Sequence, residues 1–181
     1  KLNGVNMGLG YGDLFLASSW NPEGSDAHNS LDDHATGTLW EYGIAIDNRW
    51  WDGTSAGGGS AILYKLTGGS NNANALLSED FLSGGTYRNG QEIAVDTSVD
   101  HDIVDANASW SIDAANKKIS FMFDIGGTGL LDNGELALHW AMTCGNDTIE
   151  GSYDVPEPGS LSLMGLSLLM AGLVSRRKRK T

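Results

Sequence analysis

The chain has 181 residues and a formal net charge of −12. Five of its 11 Lys+Arg lie after Ser175, and only one of its 23 Asp+Glu, Glu157, lies after Val155, so residues 1–155 carry −16, from 6 cations against 22 acids. A field of that sign repels nucleic-acid phosphates and anionic lipid and attracts cations, which argues against a nucleic-acid partner. The single cysteine, Cys144, leaves no intrachain disulfide, and the region ahead of the basic tail is long enough to build one core without such a staple. Cys144 itself reads as a small buried hydrophobe, with a reactive or intermolecular thiol as the alternative.

The first residue is Lys1 rather than methionine, so the expectation is a chain whose export signal has been removed, or a fragment. Gly8-Leu9-Gly10-Tyr11-Gly12 lacks the Gly-Lys-Ser/Thr of a phosphate loop and reads as a turn. From there the side-chain period is two. Strands are predicted at 13–18, 40–47, 61–66, 92–95, 106–113, 119–125, 136–142 and 148–153, most clearly where Ile119, Phe121, Phe123 and Ile125 alternate with Ser120, Met122 and Asp124. Turn chemistry separates them, at Asn21-Pro22-Glu23-Gly24, Gly57-Gly58-Gly59, Thr67-Gly68-Gly69-Ser70, Arg88-Asn89-Gly90 and Asp132-Asn133-Gly134, with Asp113 to Asn116 as a hairpin loop. Residues 71–82 have room for one short helix. Many short strands with glycine-rich turns predict an all-β fold, an antiparallel β-sandwich or jelly-roll-like domain over residues 1–154, followed at 155–181 by a tail containing a short hydrophobic helix.

Two acidic clusters are candidate cation sites. One holds Asp26, His28, Asp32, Asp33 and His34; the other holds Asp100, His101, Asp102 and Asp105. Carboxylates suit Ca²⁺, and an added imidazole would suit a transition metal, but neither spacing matches an established loop, so solvated acid is the competing reading. Asp32, Asp33, Asp100 and Asp102 are the Ca²⁺ candidates, and no other cofactor is expected. His139 reads as a structural histidine because no partner for it can be named from sequence. Trp40, Trp110 and Trp140 fall on apolar strand faces and are assigned to the core. Trp50 and Trp51, in an expected loop, are candidates for stacking against sugar rings if exposed; the core is the equal alternative, because neighbouring side chains on a strand point to opposite faces. No Gly-x-Ser-x-Gly elbow and no His-Glu-x-x-His occurs, and no carboxylate pair can be singled out for glycoside hydrolysis.

The tail is the most specific feature. Pro156-Glu157-Pro158 precedes an apolar run over residues 161–174, and Arg176, Arg177, Lys178, Arg179 and Lys180 follow it. As a helix that run reaches only about 21 Å against a hydrocarbon core of roughly 30 Å, so it is a poor permanent anchor and fits a transient membrane contact. The basic cluster belongs on the cytoplasmic side, which puts everything before Pro156 across the membrane. In this order the three features resemble the PEP-CTERM sorting signal of Gram-negative bacteria that make exopolysaccharide. The stretch from Leu138-His139-Trp140 to Cys144-Gly145-Asn146-Asp147 and on to Gly151 is similar to the segment found upstream of that signal in many such surface proteins. The resemblance implies recognition by exosortase, an integral-membrane protease-transpeptidase, with cleavage near the Pro-Glu-Pro. It also implies a protein held at the inner membrane before processing and at the cell surface or in the extracellular matrix afterwards.

Three functions follow as expectations. The leading one is a non-catalytic exported surface or matrix protein associated with exopolysaccharide, biofilm or surface assembly. The second is a lectin-like carbohydrate-binding module using Trp50 and Trp51, and the third is a secreted glycan hydrolase. Self-assembly is a further expectation, with the glycine-rich segment 1–12, carrying Leu2, Val5, Met7 and Leu9, as a candidate donor strand for a neighbour's sheet edge.

Overall fold

The computed structural model describes residues 9–21, 37–50, 57–67, 74–82 and 87–155. In chain order these form β1 (Tyr11–Ala17), β2 (Tyr42–Ile46), β3 (Gly58–Leu66), β4 (Ala75–Leu77), α1 (Ser78–Phe81), β5 (Glu92–Val95), β6 (His101–Asp113), β7 (Lys118–Met122), β8 (Glu135–Met142) and β9 (Thr148–Asp154). The all-β antiparallel expectation holds. Seven strands make one sheet in the order β7-β6-β3-β2-β1-β8-β9, and β4 and β5 pair separately as a small second layer.

The large sheet curls because one of its faces has a continuous apolar lining to bury. Leu14 and Leu16 of β1, Tyr42, Ile44 and Ile46 of β2, Leu63 of β3, Trp110 and Ile112 of β6, and Trp140 of β8 form a single cluster. β6 lies three strands from β1, about 14 Å away in a flat sheet. Yet the Tyr11 ring lies 5.8 Å from Trp110 and 6.4 Å from Trp140, so the sheet wraps around Tyr11. The connection from β7 to β8 crosses from one edge of the sheet to the far side of β1 and closes this face. Phe123, Ile125 and Leu130 from that connection join the cluster, and the Tyr42 hydroxyl donates to the Thr128 carbonyl at 2.8 Å. The opposite face is covered by the β4–β5 layer with α1. There Phe15, Ala17, Trp40, Tyr64, Val95 and Ala137 make one cluster, and Phe81, Leu82, Ile93, Ala94, Ala141 and Cys144 another.

Several sequence expectations are met residue by residue. Trp40, Trp110 and Trp140 are buried, Cys144 is a buried free thiol, and α1 falls inside the expected segment. The turn between β6 and β7 carries Asp113, whose carboxylate accepts from the Asn116 N–H at 3.1 Å. Others shift. Gly58 and Gly59 form the first residues of β3 instead of a turn, and at Gly58 the backbone passes so close to β6 that only glycine fits. At Gly58, with φ +143°, an added Cβ would come 2.6 Å from the Trp110 carbonyl oxygen. Tyr11 and Gly12 likewise belong to β1, and Gly10 already exchanges hydrogen bonds with Thr143. The segment 100–105 is not a loop: β6 begins at His101 and pairs Asp102 with Lys65 and Asp105 with Leu63. β7 ends at Met122, earlier than the alternation suggests, because Phe123 and Ile125 reach the core from the connection.

Candidate functional site

Two features join the folded domain to its tail: a buried polar lattice on the convex face of the sheet, and the last strand, which runs into the Pro-Glu-Pro. The lattice starts at Asp13, an acid set just before the apolar residues Leu14 to Ala17 of the central strand. Its side chain is fully buried. One carboxylate oxygen accepts from Arg49 Nη2 at 2.8 Å and from the Ile46 N–H at 2.9 Å, and the other accepts from the Val95 N–H at 2.7 Å. Arg49 also donates to the Tyr11 carbonyl at 3.1 Å and lies over the Phe81 ring. One carboxylate therefore ties β1 to β2 and to the overlying β5. Burial pushes its pKa above the ordinary range, opposed by the Arg49 charge and by the hydrogen bonds from Ile46, Val95 and Arg49.

His139 lies opposite Phe15 in the β1–β8 register, and its ring contacts Phe15 and Trp40. Its Nε2 lies 2.8 Å from the Glu92 carbonyl and its Nδ1 3.0 Å from the Glu150 carboxylate. A carbonyl and a carboxylate can only accept, so both ring nitrogens are placed to donate, and the arrangement suits the imidazolium. Burial works against that charge, but the Glu150 hydrogen bond, the Glu92 and Glu150 charges and the Glu92 carbonyl outweigh it and hold the pKa above its usual value. Burial raises Glu150 in turn. His139, Trp20 and Arg88 reverse this and leave it below the ordinary carboxylate range, with the Trp20 indole donating to Glu150 at 3.0 Å. The histidine is structural, as expected. Its partners, distant in sequence at Glu92 and Glu150, come together only because β5 lies over β8 and β9 pairs with it. The one signal available in the sequence was an acid in the last alternating run.

Glu150 sits in β9, the terminal strand of the large sheet. That strand ends at Asp154, and the Val155 N–H donates to the Gly134 carbonyl at 2.8 Å, so the ordered domain extends to the residue before Pro156.

The candidate ligand residues are scattered. Trp50 is 37% exposed, lies against the Gly10 backbone and has its ring centre 6.2 Å from that of Phe81, so part of its surface is already covered. Asp100 contributes its carbonyl, not its carboxylate, to the Asn74 side chain, and Asp102 faces Lys65 across the sheet. His101 lies against the Tyr64 ring, with Nδ1 2.7 Å from the Val99 carbonyl. Among the described residues no group of three or more His, Cys, Asp or Glu side chains is placed to hold a metal ion, and no helix is long and apolar enough to cross a membrane. Trp51, Asp26, His28, Asp32, Asp33 and His34 lie outside the described residues, as do the sorting residues Pro156, Glu157, Pro158 and Arg176 to Lys180, the apolar run 161–174 and the donor segment up to Gly8.

An all-β domain that passes directly into a proline-flanked glutamate, a short apolar run and terminal cations has the layout of an exported protein addressed to a membrane-bound processing enzyme. Residues 154–180 match the family model of the PEP-CTERM protein-sorting motif. The motif supports recognition by exosortase, export, and processing at the membrane. No curated protein and no solved structure matches the chain.

Proposed function

We propose that this chain is a non-catalytic surface or extracellular-matrix protein, released from the membrane by exosortase and retained with exopolysaccharide. The observation that carries this reading is the continuity between β9 and the sorting motif, which share Asp154. The last described strand runs to Asp154, the first residue of the matched motif, so cleavage near the Pro-Glu-Pro would release the whole β domain from the membrane. The buried acids and the histidine hold strands together, with their hydrogen-bonding groups turned to backbone and to each other, and this supports a scaffold role over a catalytic one. Intact-mass measurement of extracellular protein from cells with and without exosortase tests it. The mature form should lack Arg176 to Lys180, and without exosortase the chain should stay in the membrane fraction. Extracellular protein that keeps its basic tail would overturn the reading.

The lectin-like alternative rests on the exposed part of Trp50. A glycan array should show no Trp50-dependent binding if the scaffold reading is right, and binding lost in Trp50→Ala would favour the alternative.

A further inference from the structure

The two outer strands of the large sheet, β7 and β9, are marked in opposite ways. β9 carries Glu150 and Asp154 and no cation, whereas β7 opens with Lys118, directly after Lys117, and carries no acid. Among the described residues β9 pairs with β8 alone and β7 with β6 alone, so each offers one unpaired edge. Both strands also present large apolar side chains to solvent: Ile149 is 61% exposed, Tyr153 67% and Met122 75%.

We propose that β7 of one copy adds to β9 of a second copy, antiparallel, extending the sheet from molecule to molecule. The register follows from the faces. Tyr153, Gly151 and Ile149 lie opposite Leu136, Leu138 and Trp140 of β8, and so share the side of the sheet that bears the main apolar cluster. Ile119 and Phe121 lie opposite Ile112 and Trp110 of β6 and share that same side. Keeping these faces together sets Lys118 against Asp154, Ile119 against Tyr153, Ser120 against Ser152, Phe121 against Gly151 and Met122 against Glu150. Every pairing has a physical reason or is neutral. Lys118 and Asp154, both exposed, are of opposite charge. Ile119 and Tyr153 form a β-branched–aromatic cross-strand pair. The space over Gly151, where an added Cβ would meet nothing within 4 Å, can take the Phe121 ring.

The same charges reject the competing arrangements. β9 against β9 brings only acids together, and β7 against β7 brings only lysines, so each edge is guarded against its own copy and open to the other. Within its own hairpin Lys118 faces Asp113, so the new contact extends an alternating ladder of charge across the junction. A contact of unlike patches leaves one β7 and one β9 free at the ends, so copies continue to add unless the rotation between neighbours closes a ring. A strand pair this short is small for a stable complex, and association therefore depends on high local concentration. The contact uses the folded sheet alone and stands or falls independently of exosortase processing.

Charge exchange tests the proposal. Full-length protein in neutral detergent, with Lys118→Asp, Asp154→Lys and the double variant alongside the parent, is followed by light scattering and sedimentation up to millimolar concentration, with circular dichroism confirming the fold of each. The parent mass should rise steadily with concentration, each single variant should need several-fold more protein for the same rise, and the double variant should recover. A parent that stays monomeric, single variants that associate like the parent, or a double variant that fails to recover would each overturn the proposal. So would association abolished by deleting residues 1–8 but indifferent to both charges, which would assign the edge to the N-terminal segment.

Discussion

β1 and β9 have the same length, 7 residues each, yet they are built for different surroundings. β1 sits at the centre of the sheet with both faces covered: Leu14 and Leu16 belong to the concave cluster, Phe15 and Ala17 to the convex one, and even its acid is buried with an arginine. Among the described residues β9 has one strand neighbour, exposes Ile149 and Tyr153, and is held by a few side-chain hydrogen bonds: Glu150 with His139 and Trp20, and Thr148 with Gln91. A strand buried on both faces must satisfy every polar atom internally, whereas an edge strand leaves half its backbone and one face to water. Stability should therefore concentrate at β1, and freedom to change at β9.

The largest effect is expected at the centre. Asp13→Ala strands the Arg49 guanidinium and the Ile46 and Val95 N–H groups in a buried site. Leaving one member of such a pair without its partner costs about 3–5 kcal/mol, to be read as a lower denaturation midpoint at unchanged slope. A loss under about 1 kcal/mol would show that the lattice does not hold β1, β2 and β5 together.

The His139–Glu150 pair makes the attachment of β9 depend on pH. His139 has a raised pKa in the fold, so its contribution is complete below its ordinary value of 6.5 and is lost as pH rises through the folded value. Glu150 is depressed, so its contribution is complete above its ordinary 4.5 and is lost as pH falls through the folded value. The pair should contribute most between pH 4.5 and 6.5. Asp13, raised by burial, has the opposite sign and opposes folding as pH rises through its range, so the useful quantity is the parent minus His139→Gln. That difference should be about 1–3 kcal/mol near pH 5.5 and shrink on going above neutrality. Thermal melts across the pH range that gave a constant difference would remove the ionic bond from the account.

The two strands' glycines give the smallest and sharpest contrast. At Gly12 an added Cβ would come 2.1 Å from the Ala141 carbonyl oxygen and 2.9 Å from that of Ile93, both main-chain atoms that cannot swing away, and at Gly151 it would meet nothing. Gly12→Ala should cost about 1–3 kcal/mol as overpacking. Gly151→Ala should be neutral or stabilise by about 0.5–1 kcal/mol. Equal effects at the two sites would contradict the central-versus-edge assignment.

Much of the fold was legible because a strand with a buried face imposes a period of two. The runs at 136–142 and 148–153 lie within a residue of β8 and β9, and Trp40, Trp110 and Trp140 are core as expected. The pattern fails where glycine or charge masks it. Gly58, Gly59 and Gly12 looked like turns because glycine is common there, but they are strand residues, Gly58 and Gly12 pressed against a neighbouring backbone and Gly59 against the Asp47 carboxylate, constraints that arise only once another chain segment passes alongside. The beginning of β6, with Asp102 and Asp105, looked like an acidic loop because a strand with little apolar burial has no hydrophobic signature.

By itself, the sequence determined the all-β class, the acidity of residues 1–155 and the match to the sorting motif at residues 154–180. These are local properties: side-chain period, charge count, and the order of proline, apolar and basic segments along one stretch of chain. Only the tertiary structure decided that Asp13 would meet Arg49 and Val95, that His139 would bridge Glu92 and Glu150, and that β7 and β9 would be left as the sheet's two edges. Pairing between residues separated by tens of positions depends on how the sheet curls, and the curl is set by an apolar face to which β1, β2, β3, β6, β7 and β8 all contribute.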